Sequence, residues 1–354
     1  MPTNIAPPSK LRVAIIGGGV AGLSAAAFLR KNRHFNIIVY ERQIRAVVGA
    51  GYRTYNIHEK EMSKSRIGDG QDEDSGMWLI YRQDLKDALL RRVTCVDGDG
   101  EAVKILYGCH IVKVDPEGGV VEFANGASVE ADLIIGADGI RSKVRGVVIP
   151  ASHPEPISCG LSMYRFVLPM DVVLNTVATH GNVPAMYNYD DGTFIALIAA
   201  GDKGVSADEL RLRGPGLKSQ EPTKVEYSWN AKGSVEELLE EIHDFPEWLK
   251  DVFGRTPQVA LFQVRDQEPL PTYYKGRTVL IGDAAHAMVP YQAQGANQAL
   301  EDVEGLNVLF ANTSDRNGVP SILKIWDSIR RPRAPEIQTN FAGFPNQACD
   351  KECR

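Results

Sequence analysis

The segment from Leu11 to Glu41 constrains this chain more than any other. Leu11-Arg12-Val13-Ala14-Ile15-Ile16 reads as a buried strand and Gly17-Gly18-Gly19-Val20-Ala21-Gly22 as a G-x-G-x-x-G turn. The apolar helix Val20–Leu29 follows, and a second strand, Asn36–Tyr40, ends at Glu41. Strand, glycine turn, helix and strand in that order make a βαβ unit. Gly17 permits the tight turn, Gly19 lets a pyrophosphate approach, and Gly22 lets helix and strand pack closely. Glu41, about twenty residues beyond the glycines, is placed to bind adenosine ribose hydroxyls. The pattern implies a dinucleotide site and does not by itself separate FAD from NAD.

Two later segments narrow the choice. A short strand, Thr278–Ile281, runs into Gly282-Asp283-Ala284-Ala285-His286, then Pro290 and Gln294-Gly295-Ala296-Asn297, which open a helix to about Phe310. A glycine-rich strand-to-helix turn aims backbone N–H groups and a positive helix end at one spot. That suits the N1–C2=O edge of a flavin, while Asp283 supplies an acceptor for sugar or ribityl hydroxyls. The other segment is the strand Asp132–Ile135 followed by Gly136-Ala137-Asp138-Gly139-Ile140-Arg141-Ser142-Lys143-Val144-Arg145. Two distant parts of the chain would have to share one long ligand.

In this order the three segments resemble the class A flavoprotein monooxygenases, in their salicylate-hydroxylase-like branch, from Leu11 to about Pro335. The resemblance implies that the segment holding Asp138 couples FAD binding to NAD(P)H use. It implies that the segment from Gly282 through Gly295 and Ala296 to Glu301-Asp302 wraps the flavin and its ribityl chain. The loop Gly49-Ala50-Gly51 would lie beside the flavin, and Arg82 would reach its phosphate or ribityl region. His286 would sit by the cofactor in a mainly structural role. Arg165 and Tyr187, on presumed strands of a sheet roofing the flavin, would hold the substrate as a phenolate. Electrophilic oxygen transfer needs an electron-rich ring, and a nearby guanidinium lowers a phenol's pKa. The implied reaction begins with reduction of FAD by NADPH or NADH. O2 then adds at C4a, and the resulting hydroperoxide hydroxylates or epoxidises an aromatic, polyketide-like or terpenoid-like substrate.

The expected fold is α/β: a discontinuous Rossmann-type FAD-binding domain, 1–150 and 276–354, around an inserted β-rich substrate domain, 151–275. Within it, Val103–Asp115 and Val120–Phe123 read as a hairpin that leads through Asn125-Gly126 into Ser128–Ile135. Gly160–Leu168, Ala185–Tyr189 and Thr193–Ala199 read as strands of the inserted domain. Val235, Leu238, Leu239 and Ile242 repeat at helical spacing, as do Ile322, Ile325, Trp326 and Ile329, and both stripes are expected to face a core.

A net charge of -6 gives no electrostatic case for nucleic acid or anionic membrane. No apolar run reaches the roughly 18 residues of a spanning helix, and the N-terminus lacks the apolar stretch of a secretory signal. Five scattered cysteines argue against a disulfide framework, so a cytoplasmic monomer or homodimer is the expectation. No His/Cys/Asp cluster has metal-ligand spacing, and no Gly-x-Ser-x-Gly elbow suggests a hydrolase. Where the family normally has an asparagine-containing segment and a helix, Tyr52–Gly76 is short and highly charged. The chain also ends soon after Arg333, where relatives often continue. Two alternatives therefore stand beside the monooxygenase: a flavin-dependent oxidase or dehydrogenase, and a shortened, non-catalytic flavin-binding relative.

Overall fold

A computed structural model describes residues 10–32, 34–42, 54–55, 61–63, 82–179, 193–201, 232–243, 245–289, 294–311 and 315–339. In chain order the elements are β1 (Leu11–Ile16), α1 (Val20–Leu29), β2 (Phe35–Glu41), β3 (Thr54–Tyr55), β4 (Glu61–Ser63), α2 (Arg82–Thr94), β5 (Lys104–Tyr107), β6 (Ile111–Asp115), β7 (Val120–Phe123), β8 (Ser128–Glu130), β9 (Leu133–Gly136) and α3 (Arg145–Val148). There follow β10 (Ile157–Pro169), α4 (Met170–Ala178), β11 (Thr193–Gly201), β12 (Lys232–Gly233), α5 (Val235–Glu241), α6 (Glu247–Gly254), β13 (Val259–Asp266), β14 (Tyr274–Lys275), β15 (Thr278–Leu280), α7 (Asp283–His286), α8 (Gln294–Leu309) and α9 (Val319–Thr339). The chain divides into two compact units, one of Met1–Ala46, Asp84–Ile157 and Arg265–Arg354, the other of Val47–Gln83 and Ser158–Val264.

The first unit is built on a six-stranded sheet in the order β14-β15-β9-β1-β2-β5. The strands from β15 to β5 run parallel, and β14 pairs antiparallel with β15 at the edge. Parallel sheets are covered on both faces, so their strands are apolar throughout rather than alternating. Ile15, Leu133, Ile134, Ile135, Val279 and Leu280 are accordingly fully buried. α1 is apolar nearly all round and is buried along most of its length, as a helix between a sheet and a second helix must be. At the opposite end of β9 from Gly136, Asp132 accepts from the Arg12 backbone N–H at 2.9 Å and from its guanidinium at 3.0 Å. Arg316 also pairs with Asp132, at 2.6 Å.

Two strand boundaries differ from the sequence reading. Val103–Asp115 is not one strand: Gly108 adopts φ 71°, and the chain changes sheets there. β5 pairs with β2, whereas β6 pairs with β7 in a separate three-stranded sheet, β6-β7-β8. Ser128–Ile135 likewise splits, β8 staying in the small sheet and β9 entering the large one after Asp132. The Asn125-Gly126 turn forms as expected, with Gly126 at φ 83° and Phe123 N–H donating to the Ala127 carbonyl at 2.9 Å.

The second unit holds a four-stranded sheet, β11-β10-β13-β12. β10 and β11 are antiparallel, and both run slightly longer than the sequence reading gave them. Ala185–Tyr189 lies outside the described residues. Tyr164, Phe166, Leu168, Val173, Leu238, Ile242, Val252, Phe253 and Val259 form the core of this unit, with the Phe166 and Phe253 rings edge to face at 4.8 Å. The α5 stripe faces inward, Leu238 and Ile242 being buried.

The α9 stripe is a correction. Trp326 is fully buried, yet Ile325 and Ile329 are 51% and 58% exposed. The inward face is Val319, Leu323, Trp326, Arg330 and Ala334, the spacing of a single helical face. A charged residue occupies the position the apolar pattern had given to Ile329.

Candidate functional site

Four sequence segments meet at one edge of the large sheet. Ile16 on β1, Tyr40 on β2, Gly136 on β9 and Leu280 on β15 stand level across the sheet: Ile16 aligns with Tyr40 and Gly136, and Leu280 with Gly136. The fingerprint leaves β1 there, Glu41 ends β2, Ala137-Asp138 leaves β9, and Gly282-Asp283 leaves β15. The carboxyl ends of neighbouring parallel strands are where open α/β sheets bind nucleotides.

The fingerprint glycines differ in what surrounds them. A Cβ on Gly17, which has φ 109°, would stand 2.3 Å from the Ala137 carbonyl oxygen, and one on Gly22 would stand 2.0 Å from the Gly17 carbonyl oxygen. Packing forbids any side chain at both. Among the described residues, a Cβ on Gly19 meets nothing within 4 Å, so none of them requires a glycine there, and the open side suits a ligand. Gly19 is also the N-cap of α1, with no side-chain cap and no acidic residue in the first turn. The leading N–H groups of α1 are thus available to a pyrophosphate. Glu41 brings its carboxylate back to the turn, accepting from Gly18 N–H at 2.6 Å. These features fit the pyrophosphate and ribose of FAD.

After β9 the chain is organised by Asp138. Its carboxylate accepts from the Ser142 hydroxyl, from Lys143 N–H at 2.8 Å and from Val144 N–H at 3.3 Å. Burial nonetheless pushes its pKa upward, against those hydrogen bonds. The Ser142 hydroxyl in turn accepts from Arg145 N–H at 2.8 Å. Arg145 is buried and donates to the carbonyls of Ile140 at 2.6 Å and Ala284 at 3.4 Å. That last bond joins the β9 segment to α7.

Gly282 turns the chain from β15 into α7 at φ 57° and ψ −142°. Its Cβ position lies 3.0 Å from the Ala21 methyl and 3.4 Å from the Ala299 methyl, so this turn sits between α1 and α8. Asp283, half-buried, opens α7, and its carboxylate lies 3.8 Å from where a Gly295 Cβ would be. The distant halves of the chain therefore come together here. His286 is buried and bonded through Nε2 to Asp302 Oδ2 at 2.6 Å. Burial lowers its pKa, but the charge and hydrogen bond of Asp302 outweigh this and leave it raised. Arg330 Nε donates to the other Asp302 oxygen at 2.8 Å.

Of the remaining expected site residues, Ala50, Gly51 and Tyr187 lie outside the described residues. Arg82 begins α2 and Arg165 sits on β10 opposite Leu197; their side chains also lie outside. Arg330 was missed as part of the site, because an arginine in a basic run looks like solvated surface. Asp302 had a signal, the Glu301-Asp302 pair of the third motif, which gave no role to either carboxylate.

A family profile described as an FAD binding domain matches residues 114–340, more than half of the chain, and one described as a pyridine nucleotide-disulphide oxidoreductase matches 11–156. A salicylate hydroxylase of Pseudomonas putida is 28% identical over 93% of this chain and 84% of its own length. An FAD-dependent monooxygenase of Arthrinium sp is also 28% identical, over 93% and 82%. The structure of a salicylate hydroxylase substrate complex superposes with a TM-score of 0.71 at 26% identity, covering 95% of this chain and 89% of that one. HpxO of Klebsiella pneumoniae, complexed with FAD and uric acid, shares the fold at a TM-score of 0.73 and 18% identity.

Fold and site define a flavoprotein of the class A monooxygenase type, with FAD as its cofactor. The chain belongs to the FAD binding domain family and is an FAD-dependent monooxygenase. Among the described residues, no helix is long and apolar enough to cross a membrane.

Proposed function

We propose that this monooxygenase uses NADPH or NADH and O2 to hydroxylate a small phenolic substrate of the hydroxybenzoate kind. The observation that carries the reading is the meeting of the three motifs and Glu41 at the carboxyl ends of β1, β2, β9 and β15. The names of the relatives support the substrate class, since they include salicylate hydroxylase and 6-methylsalicylate 1-monooxygenase. Bound FAD supplies electron transfer from the nicotinamide and activation of oxygen. The residues of the chain bind, orient and activate. The fingerprint N–H groups hold the pyrophosphate and Glu41 the ribose, with Asp138 maintaining the turn beside them. Asp283 takes ribityl hydroxyls, and the opening of α8 at Gly295 and Ala296 faces the flavin edge, with Ala50, Gly51 and Arg82 completing the cofactor's surroundings. Arg165 and Tyr187 hold the phenol as its anion, because a guanidinium favours the charged form.

The test is NAD(P)H consumption across a panel of hydroxybenzoates, followed by mass spectrometry of product formed under ¹⁸O₂. One labelled oxygen in the product is expected. Turnover without label would replace this reading by an oxidase or dehydrogenase, and no substrate-stimulated turnover would leave a flavin-binding relative without catalysis. Arg165→Met should lower kcat/KM about 100- to 1,000-fold, as loss of one preorganised donor to an oxyanion does. It should also move the acidic limb of the pH profile upward, since the phenol then ionises only at higher pH. An unchanged profile would remove Arg165 from this role.

A further inference from the structure

α7 is a helix of four residues, too short to hold its own shape. It is followed at once by extended backbone, with Ala287 at ψ 131°. It is preceded by Gly282 at φ 57°, a conformation open to glycine and strained for any residue with a side chain, so the turn itself is free to move unless something holds it. One side chain touches both of its ends. Asp302 Oδ2 accepts from Gly282 N–H at 2.9 Å, before the helix, and from His286 Nε2 at 2.6 Å, at its last residue.

The carboxylate is itself held. Arg330 Nε donates to Oδ1 at 2.8 Å, and the Arg330 fork continues to the Gln298 carbonyl at 3.2 Å and Glu301 at 2.7 Å. Trp326 Nε1 donates to the Asp302 carbonyl at 3.0 Å. Three further side chains pin carbonyls in α7 and just after it: Arg145 holds Ala284, Gln267 Nε2 holds Ala285 at 2.8 Å, and Gln338 Nε2 holds Ala287 at 2.9 Å. A fully buried ion pair is a weak source of stability, because apolar residues of the same volume serve as well or better. What the apolar residues lack is directed bonding to a particular turn. The turn in question carries Asp283, and the helix that supplies Asp302 also supplies Gly295.

We propose that Asp302, held by Arg330, is a positioning residue that keeps the Gly282–Asp283 turn and the opening of α8 as a preformed seat for the flavin end of FAD. It acts through the backbone N–H of Gly282 and the ring of His286, without touching the cofactor. The proposal rests on the assignment of Asp283, Gly295 and Ala296 to that end of the ligand. Loss of the carboxylate then costs flavin affinity and changes the flavin's surroundings, beyond any loss of scaffold stability.

The test uses the full chain and three variants: Asp302→Asn, Arg330→Lys, and Asp132→Asn as a control. The control breaks a comparably buried carboxylate at the far end of β9, where Arg12 and Arg316 bind it. Apoprotein melting temperature, FAD dissociation constant and the visible circular dichroism of bound FAD are measured for each. Asp302→Asn is expected to weaken FAD at least tenfold and to alter the dichroism. Asp132→Asn is expected to lower the melting temperature with affinity and dichroism unchanged. Arg330→Lys keeps the charge but loses the fork, and a weakening of threefold or more is expected; it decides the matter should Asp302→Asn not fold. Variants that melt earlier yet bind FAD as the wild type does, with its dichroism, overturn the proposal and leave Asp302 a scaffold residue. Wild-type protein that takes up no FAD overturns the flavin reading itself, a separate result visible before any variant is made.

Discussion

Three glycines that look alike in the fingerprint answer to different demands. Gly17 and Gly22 are fixed by packing, each with backbone oxygen within 2.3 Å of where a Cβ would be, whereas Gly19 faces open space. The G-x-G-x-x-G pattern names all three and cannot rank them. The neighbours can, and the ranking yields a prediction. Gly22→Ala drives a methyl into the Gly17 carbonyl and should destabilise the protein by about 3 kcal/mol or more, at the severe end for a point change. Gly19→Ala, at φ −77° and ψ −172°, adopts its backbone without strain. Its melting temperature should stay within about 2 °C of wild type, since surface changes away from special features cost under about 0.5 kcal/mol. Its FAD affinity should nonetheless fall at least about tenfold, the methyl standing where a pyrophosphate needs close backbone approach. Thermal melts and flavin titrations of the two variants check this. A Gly19→Ala protein that binds FAD normally would move the pyrophosphate elsewhere.

The elements divide into those the sequence announced and those it hid. β1, α1, β9 and β15 were legible because each is a short, mainly apolar run beside a glycine turn, and β2 because its apolar run ends at an acidic residue at the expected spacing from the fingerprint. β5 and β6 were read as one strand because their apolar pattern carries across Gly108, and only the left-handed φ of that glycine separates two sheets. The inward face of α9 was misread for a different reason: an arginine fills a core position once Asp302 and Glu301 stand opposite, and periodicity of apolar residues cannot register a paired charge. That pairing makes the α8–α9 contact sensitive to acid. Glu301 accepts from Arg333 Nη2 at 3.0 Å and from Arg330 Nη1 at 2.7 Å. The Arg333 hydrogen bond leads in holding its pKa down at about 2, from 4.5. A depressed folded-state pKa means stabilisation that is complete above the unfolded value and lost as pH falls through the folded one. Wild-type stability should therefore decline between about pH 4.5 and 2 more steeply than that of Glu301→Gln, measured by chemical unfolding at each pH. His286 has the opposite sign. Its raised pKa contributes stability present below its unfolded value and lost as pH rises through the folded one, so His286→Asn should flatten the decline on the alkaline side. Parallel pH profiles for either variant and the wild type would show that its charge contributes nothing to stability.

At the scale of the molecule, the first unit is closed by chain from both sides of residues 158–264. The sequence made this discontinuity legible, because the fingerprint and the Gly282 segment are both strand-to-helix glycine turns, and they leave strands of one sheet. The substrate side was less legible, since the strands of the second unit carry loose patterns and no glycine turn to index them. The discontinuity sets what each nucleotide can do to stability. β1 with α1 alone meets the needs of any dinucleotide, FAD or NAD⁺. The turn at Gly282 packs between Ala21 of α1 and Ala299 of α8, and on the proposed reading this turn and the opening of α8 add demands that only a flavin end meets. A ligand that binds the native state at a hundred times its dissociation constant stabilises by about 2.7 kcal/mol. For a unit of this size that is a rise of about 5 to 10 °C in melting temperature. FAD at saturating concentration should produce such a rise in the apoprotein, and NAD⁺ at the same concentration should produce less than about 2 °C, since only the fingerprint engages it. The measurement is a thermal melt of apoprotein with each nucleotide. Equal shifts from the two would mean that binding energy comes from the fingerprint alone, and that the segment after β15 takes no part in holding the flavin.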